Sequence, residues 1–93
     1  MPKYFSYKIF GYYLYFTSHC TVECMHAHAS DTKLSESGSA KFFVKENGDT
    51  EVMNTGRLPD KDIRRLQSFI KDNHKEMYLV WANYSDQGYY RGN

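Results

Sequence analysis

Lys41-Phe42-Phe43-Val44-Lys45-Glu46-Asn47-Gly48-Asp49-Thr50-Glu51-Val52-Met53-Asn54 is the stretch that decides the fold class. Two short runs of β-forming residues flank Asn47-Gly48, and Asn-Gly is the favoured centre of a type I′ hairpin because both positions need positive φ. A two-residue loop sets Phe43 opposite Val52 and Phe42 opposite Met53. One hairpin cannot remove its apolar face from water, so further strands and a covering layer are required.

Upstream, the period-two pattern continues. Tyr4 to Phe10 sets Phe5, Tyr7 and Ile9 against Tyr4, Ser6 and Lys8. Gly11 interrupts it, and a tight reversal or a bulge is expected there. Tyr12 to Thr17 follows, with Leu14 and Phe16 on one face and Tyr13 and Tyr15 on the other. A polar elbow, Ser18 to Glu23, leads into a short strand from Met25 to Ser30. Alternation places His26, His28 and Ser30 on one side, and Met25, Ala27 and Ala29 on the other. Asp31 to Ser39 reads as a loop.

Downstream of Gly56 the period changes. Pro59 suits a helix's first turn, and Asp60 and Asp62 suit the positive end of its dipole. Ile63, Leu66, Phe69 and Ile70 form an apolar stripe opposite Lys61, Arg64, Arg65 and Lys71. Asn73 and Glu76 resemble a capping box, which predicts a second helix with Met77, Val80, Trp81 and Tyr84 as its stripe. The expected fold class is therefore α+β: a two-layer sandwich, with an antiparallel sheet of four or five strands packed against two C-terminal helices. Residues 1–86 form the single domain and 87–93 a flexible tail.

Composition narrows the function. The chain has 93 residues, enough for one core that buries roughly 60–65% of the unfolded surface. Nine Tyr and six Phe supply large buried areas from few side chains. Twelve basic and 11 acidic residues leave a formal charge of +1, which supplies no overall field toward nucleic acid or an anionic membrane. The greasy N-terminal run is broken by Ser6 and Lys8 and lacks a small-residue cleavage site, so no signal peptide is expected. No run approaches the ~20 apolar residues that cross a bilayer. The expectation is a cytoplasmic protein with no membrane contact, in which Cys20 and Cys24 are free thiols.

Three groups of residues could carry function. His26 and His28 share a strand face with Cα atoms roughly 6.5–7 Å apart, close enough to converge on one ion. With Cys24 they form a candidate metal set, to which Cys20 and His19 lie close in sequence; zinc is the ion such donors would take. Apart from zinc, no cofactor is expected. The same two imidazoles could serve as base and acid in metal-free RNA cleavage, with Lys41 or Arg57 holding phosphate. Tyr12, Tyr13 and Tyr15 could form a partner-binding face, since one side of the sheet must be solvated or covered. No nucleophile elbow, phosphate loop or dinucleotide fingerprint is present, so most enzyme classes lack support.

Phe10-Gly11-Tyr12-Tyr13-Leu14-Tyr15-Phe16, His26-Ala27-His28, and Gly56-Arg57-Leu58-Pro59 ahead of helices ending near Trp81 occur in a fixed order. In order and spacing they resemble DUF4160, a family of small bacterial domains of unknown function, from Tyr7 to about Tyr84. Cys24-Met25 stands where that family usually has two prolines, and Ala29 where it has Val. The resemblance implies a companion in toxin–antitoxin-like or mobile-element gene pairs, hence a small protein partner encoded nearby. The expected function is a protein-interaction module of that kind rather than an enzyme, with a His-dependent ribonuclease acting on RNA, or a zinc-binding module, as alternatives.

Overall fold

The computed structural model describes residues 2–31 and 38–92, without the side chains of 18 and 19. Positions 32–37 of the expected loop lie outside the described residues. Four strands form one antiparallel sheet in sequence order: β1 (Tyr13–Tyr15), β2 (His26–Ser30), β3 (Ala40–Val44) and β4 (Thr50–Asn54). A short 3₁₀ turn, Ser18–Val22, links β1 to β2, and one helix, α1 (Asp60–Ala82), follows the sheet. The class is α+β, with one C-terminal helix in place of two.

The continuity of α1 has a plain cause. Its buried residues Ile63, Leu66, Ile70, Met77 and Trp81 lie on one stripe that passes through Asp72–His74 without a phase jump. No Gly or Pro intervenes. Asn73, instead of capping a new helix, donates its side-chain amide back to the Phe69 carbonyl at 2.9 Å. Pro59 precedes the first turn, and Asp60 and Asp62 occupy it.

The β3–β4 hairpin forms, but one residue out of the expected register. Phe42 pairs with Val52 and Phe43 with Glu51, and a bulge follows between Lys41 and Phe42. The turn has three residues between a Lys45–Asp49 pair. The Gly48 amide donates to the Lys45 carbonyl at 2.9 Å, and the Lys45 amide to the Asp49 carbonyl at 2.8 Å. Gly48 is left-handed at φ +91°, whereas Asn47 is not, which is the three-residue form rather than type I′. Packing explains the choice, because a one-residue slip reverses every side chain. The observed register sends Val52 to the helix side with Phe42 and leaves Met53 exposed.

The two-residue reversal occurs earlier. Ile9 and Tyr12 exchange both backbone hydrogen bonds, at 2.7 and 3.0 Å, around Phe10 (φ +52°) and Gly11 (φ +89°). The run from Tyr4 to Phe10 adds no strand to the sheet; isolated bridges Lys3–Tyr15 and Ile9–Tyr12 tie it beside β1. Tyr4 is buried against Phe16 and donates its hydroxyl to the His26 carbonyl at 2.6 Å.

Leu14, Ala27, Ala29, Ala40, Phe42 and Val44 line the sheet face under α1. Small alanines on three positions let the helix approach closely, while Trp81 and Phe16 meet edge-on at 5.0 Å. The tail beyond α1, expected to fray, folds back. The Met25 amide donates to Gly88, and the Tyr90 amide to Val44, at 2.9 and 2.8 Å. Tyr90 stacks on Phe43 at 4.4 Å.

Candidate functional site

Antiparallel pairing places directly opposed residues on the same face. Tyr15, His28 and Lys41 therefore share the sheet face opposite Ala27 and Ala29, as do His26 and Phe43. The alternation expected for β2 holds: Ala27 and Ala29 enter the core, and both imidazoles point to the other side. They are not exposed there. His26 is 0% and His28 2% accessible.

The 3₁₀ turn makes that burial. Thr17 opens the turn, and its amide donates to the Cys20 sulfur at 3.3 Å, with the Thr17 hydroxyl 3.2 Å from the same atom. Cys20 is thereby held over β2, its Sγ 3.3 Å from His28 Nε2. His28 Nδ1 lies 3.1 Å from the Ser39 hydroxyl, and the His28 ring stacks on Tyr15 at 5.7 Å. His26 crosses His28 edge-on at 5.3 Å and also touches Phe43 and Trp81.

A tautomer follows from the His26 contact. Its Nδ1 is 2.8 Å from the Cys24 carbonyl, which can only accept, so Nδ1 carries a proton and, when the ring is neutral, Nε2 holds the lone pair. His26, His28 and Cys20 each offer one donor atom, a ring nitrogen or the sulfur, and these atoms all lie within 4.8 Å of one another. Ligand atoms around zinc, with bonds of about 2.0–2.3 Å, stand roughly 3.3–3.7 Å apart in a tetrahedron. The Cys20–His28 separation is already at that value. Sulfur and imidazole are the donors zinc favours, and an imidazole steered by a backbone carbonyl through its other nitrogen is a recurring feature of metal sites.

The expected set named His26, His28 and Cys24; in the structure the Cys20 thiol stands beside the two imidazoles. Cys20 joins the imidazoles. Cys24 supplies only its carbonyl, and its half-buried side chain lines an open groove with Lys45 and Tyr90. The reason is directional: Cys24 leads straight into β2, whereas the 3₁₀ turn doubles back and lays Cys20 across it. The His19 side chain lies outside the described residues. Thr17 and Ser39 were not anticipated; the spacing of Thr17 and Cys20, that of a capping box, was the available signal for the turn.

Glu23 and Lys41 flank the cluster. Lys41 Nζ reaches both Glu23 oxygens, at 3.1 and 3.0 Å, and Glu23 Oε2 lies 3.9 Å from His26 Nε2. Lys41 is thus engaged beside the imidazoles, while Arg57 is exposed near Gly38. The three tyrosines do not form one open face. Tyr15 is buried, Tyr12 donates its hydroxyl to Asp62 at 2.6 Å, and Tyr13 lies half-buried beneath the Lys3 ammonium at 4.5 Å.

The sequence profile of a domain of unknown function, DUF4160, matches residues 11–82. The chain belongs to the DUF4160 family. The matched span begins at the Gly11 reversal and ends with α1, so it contains Cys20, both imidazoles and all four strands of this DUF4160 domain. No curated protein and no solved structure matches the chain. Among the described residues, no helix of the DUF4160 domain is long and apolar enough to cross a membrane.

Proposed function

We propose that this domain is a metal-binding module that takes up one zinc-type ion through Cys20 Sγ, His26 Nε2 and His28. The observation that carries the reading is the convergence of one sulfur and two imidazoles within 4.8 Å at a buried point. Cys20 and His28 lie on opposite sides of a chain reversal, so the ion would also tie the 3₁₀ turn to β2.

The other readings have less behind them. A His-dependent ribonuclease needs its imidazoles within about 3 Å of a phosphodiester, and both are sealed from solvent. A toxin–antitoxin-like interaction module rests on the family resemblance, and it keeps Tyr12 and Tyr13 at the surface while losing Tyr15.

Elemental analysis of tag-free protein is the test. About one equivalent of zinc or another transition metal, lost in Cys20→Ser and in His28→Ala, is the expected result. Protein that takes up less than half an equivalent after incubation with excess zinc sinks the reading.

A further inference from the structure

On the opposite side of β1 from β2, the N-terminal hairpin gathers exposed rings and cations that the metal site does not use. Tyr7 is 60% and Phe10 55% accessible. The Lys3 and Lys8 ammoniums both sit over the Tyr13 ring, at 4.5 and 5.5 Å, and the Arg65 guanidinium lies over the Phe10 ring at 6.0 Å. Phe5 packs between Tyr7 (5.8 Å) and Phe69 of α1 (5.4 Å), which fixes the hairpin on the helix.

Phe10 adds an independent sign. It is the one non-glycine residue with positive φ among the described residues, and it holds that conformation at the tip of the turn with its ring in water. A bulky residue in the left-handed region is disfavoured, and glycine would fit the turn without penalty. Neither core packing nor turn geometry calls for phenylalanine here.

From this arrangement we propose that the Tyr7–Phe10 hairpin is a binding surface for single-stranded nucleic acid. Lys3, Lys8 and Arg65 would contact phosphates, and the open faces of Tyr7 and Phe10 would stack on unpaired bases. Rings that accept any base and cations that follow the backbone are the two ingredients of such surfaces. Charge chooses the occupant: Lys3 and Lys8, with Arg65 at 4.0 Å from the Asp62 carboxylate, favour a polyanion, and accessible ring faces favour unstacked bases over a duplex. None of these residues is a donor of the buried cluster, so the surface stands whether or not that cluster holds metal.

The experiment is fluorescence anisotropy with one labelled 12-nucleotide sequence as RNA, as DNA and as duplex, across a salt series. Both single strands should bind better than duplex, RNA and DNA being separated by their own arms. The log–log salt slope should be near −2, about 0.7 per phosphate for three cations. Lys8→Glu should flatten that slope. Tyr7→Ala and Phe10→Gly should each weaken binding by roughly five- to a hundredfold. Phe10→Gly should meanwhile leave the thermal midpoint unchanged or higher, which separates lost stacking from lost folding. The proposal is overturned if the wild-type chain fails to bind either single strand, if it prefers duplex, if an acidic peptide competes better than RNA, or if Phe10→Gly and Tyr7→Ala bind as the wild type does.

Discussion

Cys20 and His28 are eight residues apart, yet Sγ and Nε2 meet at 3.3 Å because the 3₁₀ turn reverses the chain between them. That single contact joins the first half of the sheet to its cover, and it makes the metal reading sharply testable in stability as well as in stoichiometry.

An ion that binds the folded chain alone raises stability by about 2.7 kcal/mol at a hundred times its Kd. For a domain of this size that shift raises Tm by roughly 10 °C or more. Differential scanning calorimetry with zinc should show it for the wild type and for Cys24→Ser, whose thiol is outside the cluster. Cys20→Ser should lose it. Equal shifts for both cysteine variants would mean that zinc binds elsewhere.

Gly56 and Gly11 both have positive φ but differ in what surrounds them. A Cβ on Gly56 would fall 2.6–2.7 Å from backbone atoms of Gly38, Ser39 and Ala40, whereas one on Gly11 meets nothing within 4 Å. Gly11→Ala should therefore cost about 1 kcal/mol of backbone strain. Gly56→Ala should cost at least about 1–3 kcal/mol more, because backbone cannot step aside as a side chain does. Urea titration of the two variants decides it; similar losses would mean that the β4–α1 connection yields to the added methyl group.

His74→Pro distinguishes one helix from two. At the first position of a separate second helix proline is tolerated, but inside a continuous helix it costs about 3 kcal/mol or more. Circular dichroism on thermal unfolding should find a drop of that size. A variant as stable as the wild type would restore the break at Asp72–His74.

Tyr12 gives a pH dependence. Its hydrogen bond to the Asp62 carboxylate, with smaller help from burial, pushes the phenol from 10 up to about 12. The folded state thus keeps a proton that the unfolded state releases. Whatever this contact contributes is present in full below pH 10 and is lost as pH rises toward 12. Tyr12→Phe should have a flatter stability profile across that window, measured by urea titration at each pH. An unchanged slope would place the hydrogen bond outside the folded state's energetics.

Much was legible in the chain. The alternation around His26-Ala27-His28 depends only on strand geometry, and it correctly sent alanines to the helix and imidazoles to the other face. The helical stripe from Ile63 to Trp81 was visible as well, although Asn73 and Glu76 imitated a start signal that the unbroken stripe overrode. Asn47-Gly48 announced a hairpin but not its loop length, because the local preference for a type I′ turn lost to burial of Val52 beneath the helix.

What the sequence settled by itself is whatever local periodicity settles: strands before a helix, the faces of β2, and family membership carried by short motifs in order. Only tertiary structure decided the register of β4, the burial of Tyr15, and the choice of Cys20 over Cys24. Those depend on which segments cover one another. A contact between groups eight or more residues apart is set by the path of the whole chain, and no window of sequence contains that path.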